Sequence, residues 1–345
     1  MSNLISHKFL ISSPAYFVGE NSFGGIKIRH AFEDFTNYDS HIKPTYNMSH
    51  HVVEFKTPIP EKKVGNLTPS FFGVGEIISQ VLTVIFGKMM LPIGFFESNG
   101  ILLIPEFVDI KKYNKKLDFY SDVPRKHFPI ELNMHCIGDI HLDTNLHEFK
   151  VASRLYQNAM LDFPKDPGIA YVNLVNAGEI LSSHQLFEDK EIYDNQILEL
   201  LKEIENTLPN GTSKRNQIIS RLKQIKKKYV KGLLRFCDDK IFQQSNNPKP
   251  LTKENIEATL AASYDLRSLF LHEGVRISGH VSLKNFDVGL THKENYSKSL
   301  KETLNRAPSF YCLERIVHYA LLKRLFSLMN IKLEVPNATT PITIN

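Results

Sequence analysis

Tyr264, Ser268 and His272 recur every four residues, and Arg267 stands five residues before the histidine. Side chains four apart on a helix share one face, so the first three stack along a single stripe. Ile256 and Leu260 continue the stripe upstream, which predicts a largely covered face ending in polar groups that need partners. A histidine can take a proton from a hydroxyl, and an arginine can grip two phosphate oxygens through its planar fork. His272 falls in the last turn before Gly274, where the helix dipole favours positive charge. The same spacing also fits a histidine that caps a helix end beside a solvated arginine.

Other clusters invite chemistry less directly. His135, Asp139, His141 and Asp143, followed by His147, are residue types that bind zinc or a similar ion. All four of the first group occupy odd positions, while Cys136, Ile140 and Leu142 are even. That alternation reads as a half-buried strand with one wet face, and no metal site is assigned. Phe71-Phe-Gly-Val-Gly75 precedes a helical stretch, but Glu76 would place negative charge where a phosphate must sit. A tight turn is the expectation there.

Residues 186–205 hold seven acids, and residues 214–235 hold nine bases and no acid. An antiparallel hairpin with facing opposite charges is one outcome. A strip that tracks an RNA backbone, with Lys223, Lys226, Lys227 and Lys231 as its RNA-binding residues, is the other. The two are compatible, because nine bases exceed what seven acids neutralise.

These residues need elements to hold them. Residues 1–145 read as a mixed α/β domain rich in short strands: Lys8–Ile11, Gly25–His30, His51–Phe55, Ile101–Ile104 and Phe107–Ile110. One helix spans Gly75–Gly87, ended by glycine. Fourteen of the 23 phenylalanines lie in this half and are read as core filling. The texture changes at Asn145-Leu-His-Glu148, which fits a capping box. From there helical periodicity runs nearly to Asn330, over a stretch starting at Phe149, then Ile169–Leu181, Ile192–Ile204, Ser213–Cys237, Thr252–His272 and Ser309–Met329. Breakers lie at Phe163–Pro167, Leu208–Thr212 and Ser245–Pro250. The fold class is therefore α+β, an N-terminal mixed domain (1–145) followed by an all-α bundle (146–333) and a frayed tail (334–345).

A chain of 345 residues is one large or two ordinary domains. The net charge of +5 is unevenly placed: residues 1–145 carry 14 Lys/Arg against 15 Asp/Glu, and residues 146–345 carry 28 against 22. A polyanion should therefore meet the helical part. Three scattered cysteines, Cys136, Cys237 and Cys312, form neither a disulfide framework nor a thiolate zinc site. The most apolar stretch, Ile77–Phe96, is interrupted by Lys88 and Pro92, so no membrane span is expected. With no basic and apolar leader at Met1–Phe9, a cytoplasmic protein is the expectation.

Arg267-x-x-x-x-His272 resembles the HEPN signature, and Tyr264-Asp-Leu-Arg-Ser268 is similar to its ApeA-like branch. Ala170–Glu179 looks like that branch's early helix, and Ser309–Ala320 like its closing helix. The resemblance spans roughly residues 146–333. It implies a helical bundle that forms a homodimer and joins two copies of the motif into one metal-independent, cofactor-free endoribonuclease site. Arg267 and His272 would be catalytic, with Ser268 beside them where the wider family often has Asn, Asp or His. The implied setting is bacterial anti-phage defence or toxin action, with a regulatory partner or ligand at residues 1–145. A non-catalytic HEPN scaffold or a nucleotide- or ligand-sensing binding module remains the alternative.

Overall fold

The computed structural model describes residues 4–13, 21–23, 26–31, 49–58, 72–98, 101–102, 147–242, 249–282, 287–289 and 296–328. The fold is mixed α+β. The chain divides into two compact units, residues 1–157 with 321–345, and residues 158–320. The division falls inside two helices, His147–Asp162 and Phe310–Leu328.

The first unit is built on six strands: β1 (Leu4–Ser13), β2 (Asn21–Phe23), β3 (Ile26–His30), β4 (Ser49–Pro58), β5 (Leu91–Ser98) and β6 (Ile101–Leu102). They form one sheet in the order β2-β3-β4-β1-β5-β6, with every neighbouring pair antiparallel. The central strand β1 pairs with β4 from Leu4↔Pro58 to Ser13↔Ser49 and with β5 through two register shifts. Phe9 to Ser13 are all buried, as a strand covered on both faces requires. The strands read from β-branched and aromatic content at β1, β3 and β4 are present. β5 is missing from that reading because most of it lies within the apolar stretch 77–96, which carries no period-2 signal. The segments Phe107–Ile110 and His135–Asp143, with Cys136, Asn145 and the tail, lie outside the described residues.

Helix α1 (Phe72–Phe86) ends at Gly87, which adopts a left-handed φ of 51°. From Phe72 onward, the turn expected up to Gly75 is instead the first turn of this helix. Gly75 is there for contact: a Cβ on it would sit 2.4 Å from the Phe9 ring of β1. Only glycine lets helix and strand approach so closely.

Helix α2 (His147–Asp162) begins in the first unit. The second unit contains α3 (Pro167–Ser183), the short α4 (Asp189–Ile192), α5 (Asn195–Thr207), α6 (Gly211–Arg221) and α7 (Ile225–Phe236). It continues with α8 (Ile256–Glu273), the short α9 (Ser278–Val281), α10 (Lys298–Arg306) and most of α11 (Phe310–Leu328). Asp166 caps α3, its carboxylate accepting from Gly168 N–H and Ile169 N–H, with proline at the first helical position.

The sequence pattern over Ser213–Cys237 suggests one helix, but the chain bends between α6 and α7. Gln224 takes a φ of 47° there. No glycine or proline marks the break, so local pattern could not reveal it. Packing explains it. Ile218, Ile219 and Leu222 of the first arm join Ile192, Tyr193 and Leu201 in a small core with α4 and α5. The second arm instead lies on α3 and α8. α3 and α7 touch through glycines: a Cβ on Gly178 would meet the Tyr229 ring at 2.9 Å, and one on Gly232 would meet Ser182 at 2.4 Å.

Candidate functional site

Helix α8 carries the motif. Thr252 and Asn255 open it by mutual hydrogen bonds, Thr252 N–H to Asn255 Oδ1 at 2.9 Å and Asn255 N–H to Thr252 Oγ1 at 3.3 Å. Gly274 closes it with a φ of 66°, and Val275 N–H returns to the Leu269 carbonyl at 3.3 Å. The segment beyond is tied down, since Ser278 Oγ donates to Asp166 Oδ1, 3.2 Å away on the cap of α3.

The stripe does not stay covered. Ile256 and Leu260 are buried within this chain, Tyr264 and Ser268 are half-buried, and His272 is exposed. The apolar part of the stripe is therefore used internally, and does not offer a seam to a second copy.

Arg267 lies against α3. Its Nε–H donates to Asn176 Oδ1 at 3.1 Å, and its Nη2 stands 4.0 Å from Glu179 Oε2, outside hydrogen-bond range. The guanidinium carbon sits 5.5 Å from the centre of the Tyr264 ring. The side chain is 21% exposed, and its Nη groups hydrogen-bond to no described residue. The fork is thus hydrogen-bonded at one edge, and its Nη2 faces the Glu179 carboxylate at ion-pair distance. Ser268 and His272 likewise hydrogen-bond to no described residue. Five residues separate Arg267 from His272, about 140° around an ideal helix, so they leave α8 on different sides.

Asn176 and Glu179 lie in the segment Ala170–Glu179, but nothing in the sequence ties either one to Arg267. Burial first, and then the neighbouring Glu179 carboxylate, push the Tyr264 hydroxyl above its ordinary value. Burial also raises the Tyr229 hydroxyl, which shares a 2.8 Å hydrogen bond with Ser263. Neither phenol is a ready base.

The basic strip separates into two groups. Lys226 Nζ lies 2.6 Å from Asp265, and Lys231 Nζ lies 2.8 Å from Glu257, both acids on α8. Arg215 pairs with Asp189 and Glu205, and Arg235 pairs with Glu191, so part of the acidic arm does face the basic one. Lys214, Arg221, Lys223, Lys227 and Lys228 have no ion pair among the described residues. Lys223 and Lys228 line a cleft of about 200 Å³ together with Glu179, Ser183, Ile225 and Tyr229. That cleft shares Glu179 with the Arg267 site. Lys228 is one of the nine bases of the strip but is not among the four lysines named as RNA-binding, and the cleft adds it to them.

Among the described residues no three His, Cys, Asp or Glu side chains are grouped to hold a metal ion, and no helix is long and apolar enough to cross a membrane. Comparison of the chain with family models, curated proteins and solved structures finds no match.

Proposed function

We propose that the chain is a metal-independent HEPN-type endoribonuclease that works as a homodimer, with Arg267 and His272 as its catalytic residues. The observation that carries this reading is the setting of Arg267: Asn176 fixes its inner edge, while its terminal nitrogens face no hydrogen-bond partner among the described residues. A fork held this way suits a phosphodiester and its transition-state charge. In the proposed step His272 takes the proton from a ribose 2′-hydroxyl. The 2′-oxygen bonds to the adjacent phosphorus, the bond from phosphorus to the 5′-oxygen breaks, and that oxygen leaves with a proton from the imidazolium. A 2′,3′-cyclic phosphate and a 5′-hydroxyl result. The separation of the two residues around α8 supports a site completed by a second copy, with the arginine of one protomer facing the histidine of the other.

A second reading is a non-catalytic HEPN module. One observation favours it: His272 is exposed and no described residue orients its ring. Incubation of RNA with wild type and His272→Ala in chelator separates the two. Cleavage by wild type and loss in a folded, still dimeric variant support the nuclease. Full activity in His272→Ala, or activity that returns only with added divalent metal, overturns it.

A further inference from the structure

A cleft of about 430 Å³ lies at the opposite end of α8 from His272, bordered by residues 249–255, Val288 and the last turn of α10. Its volume is in the usual range for small-molecule sites. Lys249, Thr252, Asn255, Thr259, Asn305 and Arg306 supply its polar lining.

The walls are tied together by a buried acid. Asp287, 3% exposed, accepts from Leu251 N–H through its carboxylate at 3.2 Å and from Ser309 N–H through its carbonyl at 2.8 Å. Arg315 pairs with the same carboxylate at 3.1 Å. Val288 and Pro308 form an antiparallel bridge beside it. Three separate segments thus meet in a frame that does not depend on a ligand.

Several groups in this frame lack partners among the described residues. Thr259 is 1% exposed, yet its Oγ1 has no hydrogen-bond partner. A buried hydroxyl left unpaired is unfavourable, and an acceptor or donor oxygen arriving in the cleft would relieve it. Lys249 spends one donor on the Gly289 carbonyl at 3.2 Å and meets no acid among the described residues. Arg306 has no ion pair there either. No acidic and no aromatic residue lines the cleft among those described.

We infer that this cleft is a binding site for a small sugar phosphate. Lys249 and Arg306 receive the phosphate, and Thr259 with the amide of Asn305 receives sugar hydroxyls. Among the described residues a nucleobase finds no aromatic ring to stack on, which favours a sugar over a nucleotide. The site stands independently of the ribonuclease reading. It shares α8 with the motif but lies at the other end of that helix.

The test is calorimetric titration of the full chain with glucose 6-phosphate and ribose 5-phosphate, beside glucose, inorganic phosphate and AMP. A sugar phosphate should bind more tightly than glucose or phosphate alone and more tightly than AMP. Arg306→Gln, at an exposed position, should weaken it about tenfold or more. Thr259→Val should keep or raise the melting temperature without ligand, since it removes an unpaired buried hydroxyl, yet lose most of the ligand-induced shift. No binding of either sugar phosphate overturns the inference. So does equal affinity in both variants, tighter binding of AMP, or binding of phosphate alone as tight as that of the sugar phosphates.

Discussion

Asn176 and Arg267 are 91 positions apart in the chain and 3.1 Å apart in space, joined by one hydrogen bond from Nε–H to Oδ1. The bond crosses from α3 to α8 and determines which edge of the guanidinium is occupied. If Arg267 grips a phosphate, Asn176 is the residue that aims it. Asn176→Ala should lower kcat for RNA cleavage roughly ten- to hundredfold, because small misplacements of a phosphate clamp are costly. Arg267→Lys should be impaired further, since lysine lacks the fork. Substitution of Asn176 with unchanged single-turnover rates would remove its positioning role.

The two lysine groups should differ in RNA binding. Lys223 and Lys228 make no ion pair among the described residues, although Glu179 lines their cleft, whereas Lys226 and Lys231 are paired with Asp265 and Glu257. Lys223→Gln with Lys228→Gln should reduce the slope of log affinity against log salt by about 1.4 for single-stranded RNA, roughly 0.7 for each phosphate no longer neutralised. The corresponding change at Lys226 and Lys231 should be smaller. The measurement is fluorescence anisotropy across a salt series, and equal slopes for the two double variants would contradict the division.

The sheet should weaken in mild acid. Burial holds the His7 imidazole below its ordinary value, and the ring packs on Phe55 at 5.2 Å between centroids. Between the lowered folded value and the ordinary 6.5, the unfolded chain binds more protons than the folded one. His7 therefore favours folding fully above pH 6.5 and loses that contribution as pH falls below it. Melting temperatures from pH 8 to pH 5 should fall, with a shallower decline in His7→Gln. Identical profiles for both proteins would show that His7 is not responsible.

Gly232→Ala tests the contact of α7 with α3. Alanine is the better helix former by about 1 kcal/mol, but its Cβ would stand 2.4 Å from Ser182. Overpacking of this kind costs about 1–3 kcal/mol, so the net change should be destabilising. Denaturant midpoints at constant m-value provide the check. A more stable Gly232→Ala would mean the two helices separate at little cost.

What could be read from the residues alone was what repeats locally. The four-residue spacing of Ile256, Leu260 and Tyr264 marks α8, and Gly274 marks its end. β-branched and aromatic residues mark β1, β3 and β4. Arg267, Ser268 and His272 could be placed on one helix for the same reason. Contacts between elements carry no such period. Nothing near Asn176 indicates Arg267, and nothing in Lys226 or Lys231 indicates the acids of α8 that neutralise them. The bend at Gln224 has no glycine or proline to announce it, because the cores on either side of it impose it. Gly75 looks like part of a turn until the Phe9 ring is seen to occupy the space its side chain would need. Local sequence sets which face of a helix or strand is apolar. Only the packed chain decides which face meets it, and therefore which charges remain free and which edge of an arginine stays open.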